Sequence, residues 1–110
     1  MVTDERLSRG LWGVLATPFS EDGRYIDDAS LVRQIDHHRT VGSRGLVALG
    51  VFGEAARLDL DERLRVVDVV TRHAAGLPVV VGLPELKTAE AVESGTRLLD
   101  AATGDRPALM

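Results

Sequence analysis

The residues best able to do chemistry form one short loop, Gly50-Val-Phe-Gly-Glu54, directly after an apolar run. Two glycines three residues apart let the backbone approach a ligand closely and present N–H groups to an anion such as a carboxylate. For Glu54 the favoured role is to hold the loop by accepting backbone N–H bonds, with general acid as the alternative. Gly-x-x-Gly is common, so a plain strand–helix connection is the competing interpretation.

Structural roles are favoured for most of the other reactive side chains. Thr17 stands at the end of an apolar run, where it terminates a strand but also faces the same edge as the loop. His37 and His38 are adjacent on a predicted helix, so they point about 100° apart and cannot share a metal ion. His38 is predicted to pack in the interior, and His73 to lie on the surface near a helix end.

Neither a metal site nor a cofactor is predicted. The chain has no cysteine, which excludes disulfides, thiolate metal sites and a cysteine nucleophile. Asp59, Asp61 and Glu62 resemble a helix-capping cluster and not a set of metal ligands. Lys87 is the only lysine, and it falls at the predicted start of a helix.

Short apolar runs that end in glycine or proline predict buried parallel strands. The helices between them are predicted from apolar positions that recur on one helical face and from capping residues. The predicted strands cover Leu11–Thr17, Gly45–Leu49 and Pro78–Val81, and a fourth begins at Ala108. The first predicted helix covers Asp27–Val41, with Asp27 or Asp28 as N-cap and Gly42 in the left-handed conformation. The second runs from Leu60 to about Ala74, with Asp59 as cap and a stop at Gly76. The third has Thr88 as N-cap and runs to about Ala102.

This alternation predicts an α/β fold built from parallel βα repeats with right-handed crossovers. Each repeat has about 35 residues, close to the spacing of a TIM (β/α)8 barrel, which needs about 250 residues in total. We therefore expect the N-terminal part of such a barrel, in the order β-α-β-α-β-α and the start of a fourth strand. Residues 1–10 are predicted to be a polar extension and residues 11–110 the partial barrel.

Composition excludes several classes of partner. The net charge of −4 argues against nucleic acid and anionic membranes. No apolar run approaches the roughly 20 residues of a membrane-spanning helix, and residues 1–10 contain no signal-peptide core. A cytoplasmic protein is the resulting expectation.

Several of these motifs, taken in order, resemble the dihydrodipicolinate synthase / N-acetylneuraminate lyase family. The resemblance runs from about Gly10 to Met110 and covers the first third or so of a family member. Its motifs are Gly13-Val-Leu-Ala-Thr-Pro-Phe19, an acidic Asp-Gly turn, a helix with His38, Gly42-x-x-Gly45, Gly50-x-x-Gly-Glu54, Leu58-x-x-Asp-Glu62, Pro78-Val-Val-Val-Gly82 and Thr88-Ala-Glu-Ala91.

The resemblance implies a (β/α)8 barrel that assembles as a homo-oligomer, a tetramer in most of the family. It implies a small-molecule partner, pyruvate or a related 2-keto acid, bound as a Schiff base to a lysine on the sixth strand, with a tyrosine on the fifth strand moving the proton. Both residues are expected beyond Met110, so no catalytic residue is expected within this chain. The carboxylate-binding positions carried over are Gly50, Val51, Phe52, Gly53, Glu54 and Thr17.

The chain departs from the family pattern at the loop itself. Val51 and Phe52 stand where the family usually has two hydroxyl residues, so backbone N–H groups remain for carboxylate binding but no hydroxyl relay does. The loop after the third strand reads Gly82-Leu-Pro-Glu-Leu-Lys87, where the family usually has a second glycine and an asparagine. Pro84 removes a donor from this loop and stiffens it, and Lys87 matches a variable position. We expect the front part of a Schiff-base lyase, aldolase or synthase. The alternative is a truncated or degenerate barrel fragment without catalysis.

Overall fold

The computed structural model describes residues 9–102 and 107–110. Four strands and three longer helices alternate along the chain, with one short 3-10 helix after the second strand. The elements are β1 (Trp12–Val14), α1 (Asp28–Thr40), β2 (Gly45–Ala48), the 3-10 helix (Ala55–Arg57), α2 (Leu60–His73), β3 (Val79–Val81), α3 (Thr88–Ala101) and β4 (Ala108–Leu109). Residues 1–8 of the predicted polar extension lie outside the described part.

All four strands form one parallel sheet in the order β1-β2-β3-β4. The register pairs Val14 with Val47, Val47 with Val80, and Val80 with Ala108. The predicted α/β fold of parallel repeats is thereby confirmed. Sequential neighbours in a parallel sheet, each joined by a helix, form the layout of a TIM-barrel segment.

The two faces of the sheet differ in burial. Side chains that face the helices are almost completely excluded from solvent, as Leu46, Ala48 and Val81 show at 0% exposure each. The opposite face is only partly covered, and Val14 on it is 45% exposed. The hydrophobic core therefore lies between the sheet and the helices, where α2 packs against both α1 and α3.

The first strand is shorter than the predicted Leu11–Thr17. The N–H of Leu15 still donates to the Val47 carbonyl oxygen at 2.9 Å, but the next peptide unit leaves the ladder. The side-chain amide of Gln34 on α1 binds Ala16 instead, accepting from its N–H at 3.0 Å and donating to its carbonyl oxygen at 3.1 Å. A helix side chain thus takes over the hydrogen bonds of a neighbouring strand.

Two of the predicted helix caps are confirmed. Asp27 caps α1 by accepting from the Ser30 N–H at 3.1 Å. Asp59 and Glu62 form the reciprocal capping box at the start of α2.

The predicted cap of α3 is wrong by one residue. Lys87 occupies the N-cap position, with no side-chain hydrogen bond, and Thr88 is the first helical residue. The Ala91 N–H donates to the Lys87 carbonyl oxygen, which fixes the start of the helix through the backbone alone. A lysine side chain has only donors and cannot cap the N–H groups there.

Candidate functional site

The Gly50–Glu54 loop leaves the carboxyl end of β2 beside the carboxyl end of β3. The Gly82 N–H donates to the Ala48 carbonyl oxygen at 3.0 Å, and a Cβ at Gly82 would overlap the Leu49 carbonyl oxygen. Only glycine allows the two strand ends to approach this closely. Parallel α/β folds bind ligands at this edge of the sheet.

Backbone strain brackets the loop. Leu49 at its start has φ of 57° and Glu54 at its end has φ of 60°, a left-handed conformation that residues other than glycine seldom adopt. Such residues cost of order 1–3 kcal/mol and persist where the surrounding structure forces them, which is often at a functional site. The sharp reversal between these two residues presents the loop at the rim of the sheet.

Three consecutive N–H groups in the loop have no acceptor within the described structure. Two backbone hydrogen bonds close the turn. The Glu54 N–H donates to the Val51 carbonyl oxygen at 3.0 Å, and the Ala55 N–H donates to the Gly50 carbonyl oxygen at 3.4 Å. The N–H groups of residues 51–53 donate to no oxygen atom of the described residues. Successive backbone N–H groups that are not used within the fold are suited to bind an anion.

Thr17 holds the loop from the segment that follows β1. Its hydroxyl donates to the Gly53 carbonyl oxygen at 2.7 Å, and the residue is 7% exposed. Gly53 itself is buried, and a Cβ there would lie 3.1 Å from the Leu49 nitrogen and 3.2 Å from the Leu15 carbonyl oxygen. The hydroxyl proton of Thr17 is therefore engaged with the loop, and only its oxygen lone pairs remain for a ligand.

A cavity of about 580 Å³ opens beside the loop, between the ends of β2, β3 and β4. Three predicted site residues line it, Gly50, Val51 and Glu54, whereas Phe52, Gly53 and Thr17 do not. Phe52 is 65% exposed. The complete lining is Leu49, Gly50, Val51, Glu54, Ala55, Ala56, Arg57, Gly82, Leu83, Pro84 and Met110.

Sequence reasoning missed Arg57 and the residues that follow the third and fourth strands. Arg57 lies in the 3-10 helix that continues directly from the loop, and its side chain is 83% exposed. Leu83, Pro84 and Met110 could have been found, because they come directly after β3 and β4 and so reach the same edge of the sheet. Nothing in the local sequence signals the turn that brings Arg57 to the cavity.

The expected loop-holding role of Glu54 is not what the structure shows. Its carboxylate lies 3.5 Å from the Arg57 guanidinium, and it makes no side-chain capping bond to a backbone N–H. Its backbone does the holding instead, since the Arg57 N–H donates to the Glu54 carbonyl oxygen at 2.9 Å. The left-handed backbone of Glu54 directs the chain into the 3-10 helix.

The remaining candidate side chains lie away from this cavity. Lys87 is exposed and lines a separate groove along α3. The ring of His38 packs against Gly13, where a Cβ would overlap it, which agrees with the predicted packing role. The His73 ring is half-buried, with Nδ1 2.9 Å from the Val69 carbonyl oxygen. In the described ranges, no three His, Cys, Asp or Glu side chains are placed to hold a metal ion.

A buried ion pair involves Glu85, the residue that follows Pro84 of the cavity lining. Arg63 Nη1 on α2 donates to Glu85 Oε1 in the loop after β3 at 2.6 Å, and the two side chains are 9% and 12% exposed. Burial raises the pKa of the Glu85 carboxyl, but hydrogen bonds from Ser94 and Arg63 outweigh burial and hold the pKa below its ordinary value. The pair fixes Glu85 directly beside Pro84.

Within the described part of the chain, no helix is both long enough and apolar enough to cross a bilayer.

Comparison with known proteins identifies the family. The sequence model of the dihydrodipicolinate synthetase family matches residues 7–103. A 4-hydroxy-tetrahydrodipicolinate synthase from Thioalkalivibrio sulfidiphilus is 41% identical over 80 residues, which is 72% of this chain and 27% of that protein. The chain thus spans less than a third of that relative's length.

Solved structures agree with the sequence match. The dihydrodipicolinate synthase of Rhodopseudomonas palustris superposes with a TM-score of 0.80 at 30% identity, over 93% of this chain and 34% of that one. A prophage protein of the dihydrodipicolinic acid synthase family from E. coli K12 was solved in complex with pyruvate. It superposes with a TM-score of 0.78 at 27% identity, over 87% of this chain and 32% of that one. The parallel βα repeats and the Gly-x-x-Gly-Glu loop described above therefore place this chain in the dihydrodipicolinate synthetase family, of whose members it covers about a third.

Proposed function

We propose that this chain supplies the carboxylate-binding part of a Schiff-base lyase, aldolase or synthase that acts on pyruvate or a related 2-keto acid. One observation carries the proposal: the N–H groups of residues 51–53 have no acceptor in the described structure and lie in a loop held open by strained residues at both ends. Membership of the family and the pyruvate complex of a family member support the same ligand class.

In the proposed reaction a lysine amine attacks the keto carbon and water leaves, which gives an imine. The imine accepts the electron pair when a neighbouring bond breaks, or supplies an enamine carbon for bond formation. This chain's part is to hold the carboxylate in place through backbone donors. Val51 contributes an N–H but no hydroxyl, so proton transfer at this position needs another group.

The imine-forming lysine of this proposal comes from outside the 110 residues. Lys87 is the only side-chain amine in the chain, and it lines the groove along α3 and not the cavity at the loop. The same inventory, together with the absence of loop hydroxyls at Val51 and Phe52, is the reason to keep a second candidate, a barrel fragment without catalysis. Homo-oligomeric assembly and a cytoplasmic location stay predictions.

Two measurements on the 110-residue chain test the proposal. Titration with pyruvate, followed by amide chemical shifts, should move the signals of residues 51–53 more than those of Gly23 and Gly42 in distant turns. Borohydride reduction in the presence of pyruvate, followed by mass spectrometry, should leave the 110-residue chain unmodified. The same chain extended to a complete barrel that contains the imine-forming lysine should gain the mass of the reduced pyruvate adduct.

Unchanged amide signals in the loop at saturating pyruvate would favour the non-catalytic fragment. A reduced adduct on Lys87 of the short chain would overturn the assignment of the site.

A further inference from the structure

We infer that Arg57 is a specificity-determining residue of this site, which binds a second carboxylate on the keto-acid ligand and so selects a dicarboxylic 2-keto acid over pyruvate. This inference rests on the proposed function, because the first carboxylate is the one bound at the loop N–H groups. The inference adds that the other end of the ligand carries a second carboxylate.

The charge distribution of the cavity carries the first part of the argument. Its lining consists of aliphatic side chains, proline and glycine, apart from Glu54 and Arg57. Arg57 is thus the one positive side chain among the described lining residues. In a cavity with apolar walls, the Arg57 guanidinium and the backbone N–H of Val51 are the two places where negative charge is stabilised.

The guanidinium of Arg57 is available to a ligand. Its ion pair with Glu54 spans 3.5 Å between side chains that are 83% and 45% exposed. Exposed pairs of this kind contribute about 0–1 kcal/mol, so a ligand carboxylate can displace or share the contact. Arginine carries five N–H donors in a planar fork that matches a carboxylate with two parallel hydrogen bonds.

The backbone beneath Arg57 is fixed by hydrogen bonds although its side chain is 83% exposed. Its N–H donates to Glu54, and the Leu58 N–H donates to the Ala55 carbonyl oxygen at 3.2 Å. Ala55 and Leu58 on either side are buried, at 4% and 8% exposure. Arg57 is therefore held in the cavity lining, next to the loop, by a hydrogen-bonded turn.

The replacement of loop hydroxyls strengthens the case. Val51 lines the cavity without offering a side-chain donor, so the loop binds its carboxylate through backbone N–H groups alone. A second charged contact at Arg57 would raise the affinity for a ligand with two negative ends and leave that for a single carboxylate unchanged.

The test compares pyruvate with 2-oxoglutarate in amide chemical-shift titrations of the 110-residue chain. We expect 2-oxoglutarate to bind about fivefold to tenfold more tightly than pyruvate, the size of one added charge-assisted contact. Arg57→Gln should abolish this preference for 2-oxoglutarate over pyruvate. The matched control is Arg65→Gln, which removes an exposed arginine of α2 that pairs with Asp28 of α1. This variant should keep the preference for 2-oxoglutarate.

The outcomes separate the two proposals. If pyruvate moves the signals of residues 51–53 but Arg57→Gln keeps the preference for 2-oxoglutarate, the role of Arg57 is overturned and the proposed function stands. The role of Arg57 is also overturned if Arg65→Gln loses the preference equally, since net charge alone would explain it. If neither keto acid moves the loop signals, the proposed function fails and the role of Arg57 fails with it.

Discussion

Arg63 and Glu85 meet in the protein interior, 22 residues apart in sequence, with guanidinium and carboxylate 2.6 Å from each other. Arg63 Nε and Glu85 Oε2 are buried as well and have no hydrogen-bond partner among the described residues. The pair joins α2 to the loop after β3 and so links the helix layer to the rim of the candidate site.

Arg63→Met should destabilise the chain by about 3–5 kcal/mol, because it leaves the Glu85 carboxylate buried without a counter-ion. The double variant Arg63→Met/Glu85→Leu should recover most of that loss, since two apolar side chains can replace a buried pair. Urea denaturation gives the free energies of unfolding. Arg72→Met on the same helix, in an exposed pair with Asp68, is the control and should cost about 0–1 kcal/mol. Equal losses for Arg63→Met and Arg72→Met would contradict the prediction.

Acid should weaken the fold through Glu85. Its carboxyl has a pKa in the folded chain below the ordinary 4.5, so the unfolded state takes up protons first as the pH falls. The stabilisation is complete above about pH 4.5 and is lost as the pH falls through the folded-state pKa. Urea midpoints measured between pH 7 and pH 3 should drop less steeply for Glu85→Gln than for the original chain. Parallel curves would show that other groups cause the acid dependence.

Gly82→Ala should disturb the candidate site, because the added Cβ overlaps the Leu49 carbonyl oxygen and pushes β3 away from the loop. We expect a loss of about 1–3 kcal/mol, the usual cost of overpacking, and shifted amide signals in the Gly50–Glu54 loop. Gly50→Ala is the matched control: the nearest atom to its added Cβ is Val47 Cγ1 at 3.7 Å. If both variants unfold at the same urea concentration, the close approach at Gly82 does not matter.

Thr17→Val should cost about 1–3 kcal/mol, because it leaves the Gly53 carbonyl oxygen without its buried donor. Thr17→Ser keeps the hydroxyl and should lose less stability than Thr17→Val. Hydrogen exchange of the Glu54 and Ala55 amides, which close the turn, should accelerate in Thr17→Val and stay slower in Thr17→Ser. Identical exchange in the two variants would mean that the hydroxyl does not hold the loop.

The uncovered sheet face should make the isolated chain self-associate. Val14 on that face is 45% exposed, and β1 is an edge strand of the described sheet; both features favour pairing with another chain. Sedimentation velocity should show oligomers that Val14→Lys reduces. Val41→Lys, at an exposed position after α1, should leave the distribution unchanged. A monomeric original chain would contradict this prediction.

Local patterns were sufficient to predict the architecture. The apolar runs around Leu46 and Val80 and the capping box at Asp59 depend on residues within one element, so they can be read from a single sequence. The loop at Gly50 was likewise predicted because glycines have a direct conformational meaning.

The features that the sequence did not predict depend on contacts between residues far apart in the chain. The Gln34 amide that ends β1 early lies 18 residues from Ala16, and Thr17 lies 36 residues from Gly53. The strained conformation of Leu49 contradicts local propensity, which would place glycine there. Such features emerge only when the elements pack, and they define the shape of the candidate site.

The sequential order of the strands also has a consequence for biosynthesis. Each strand pairs with the one made immediately before it, from β1 to β4, and α2 packs on the helices next to it in the chain. No described strand has to wait for a distant partner to leave the ribosome. Each βα repeat can therefore add to the preceding one during translation, which shortens the time that unpaired strands are exposed to aggregation in the cell.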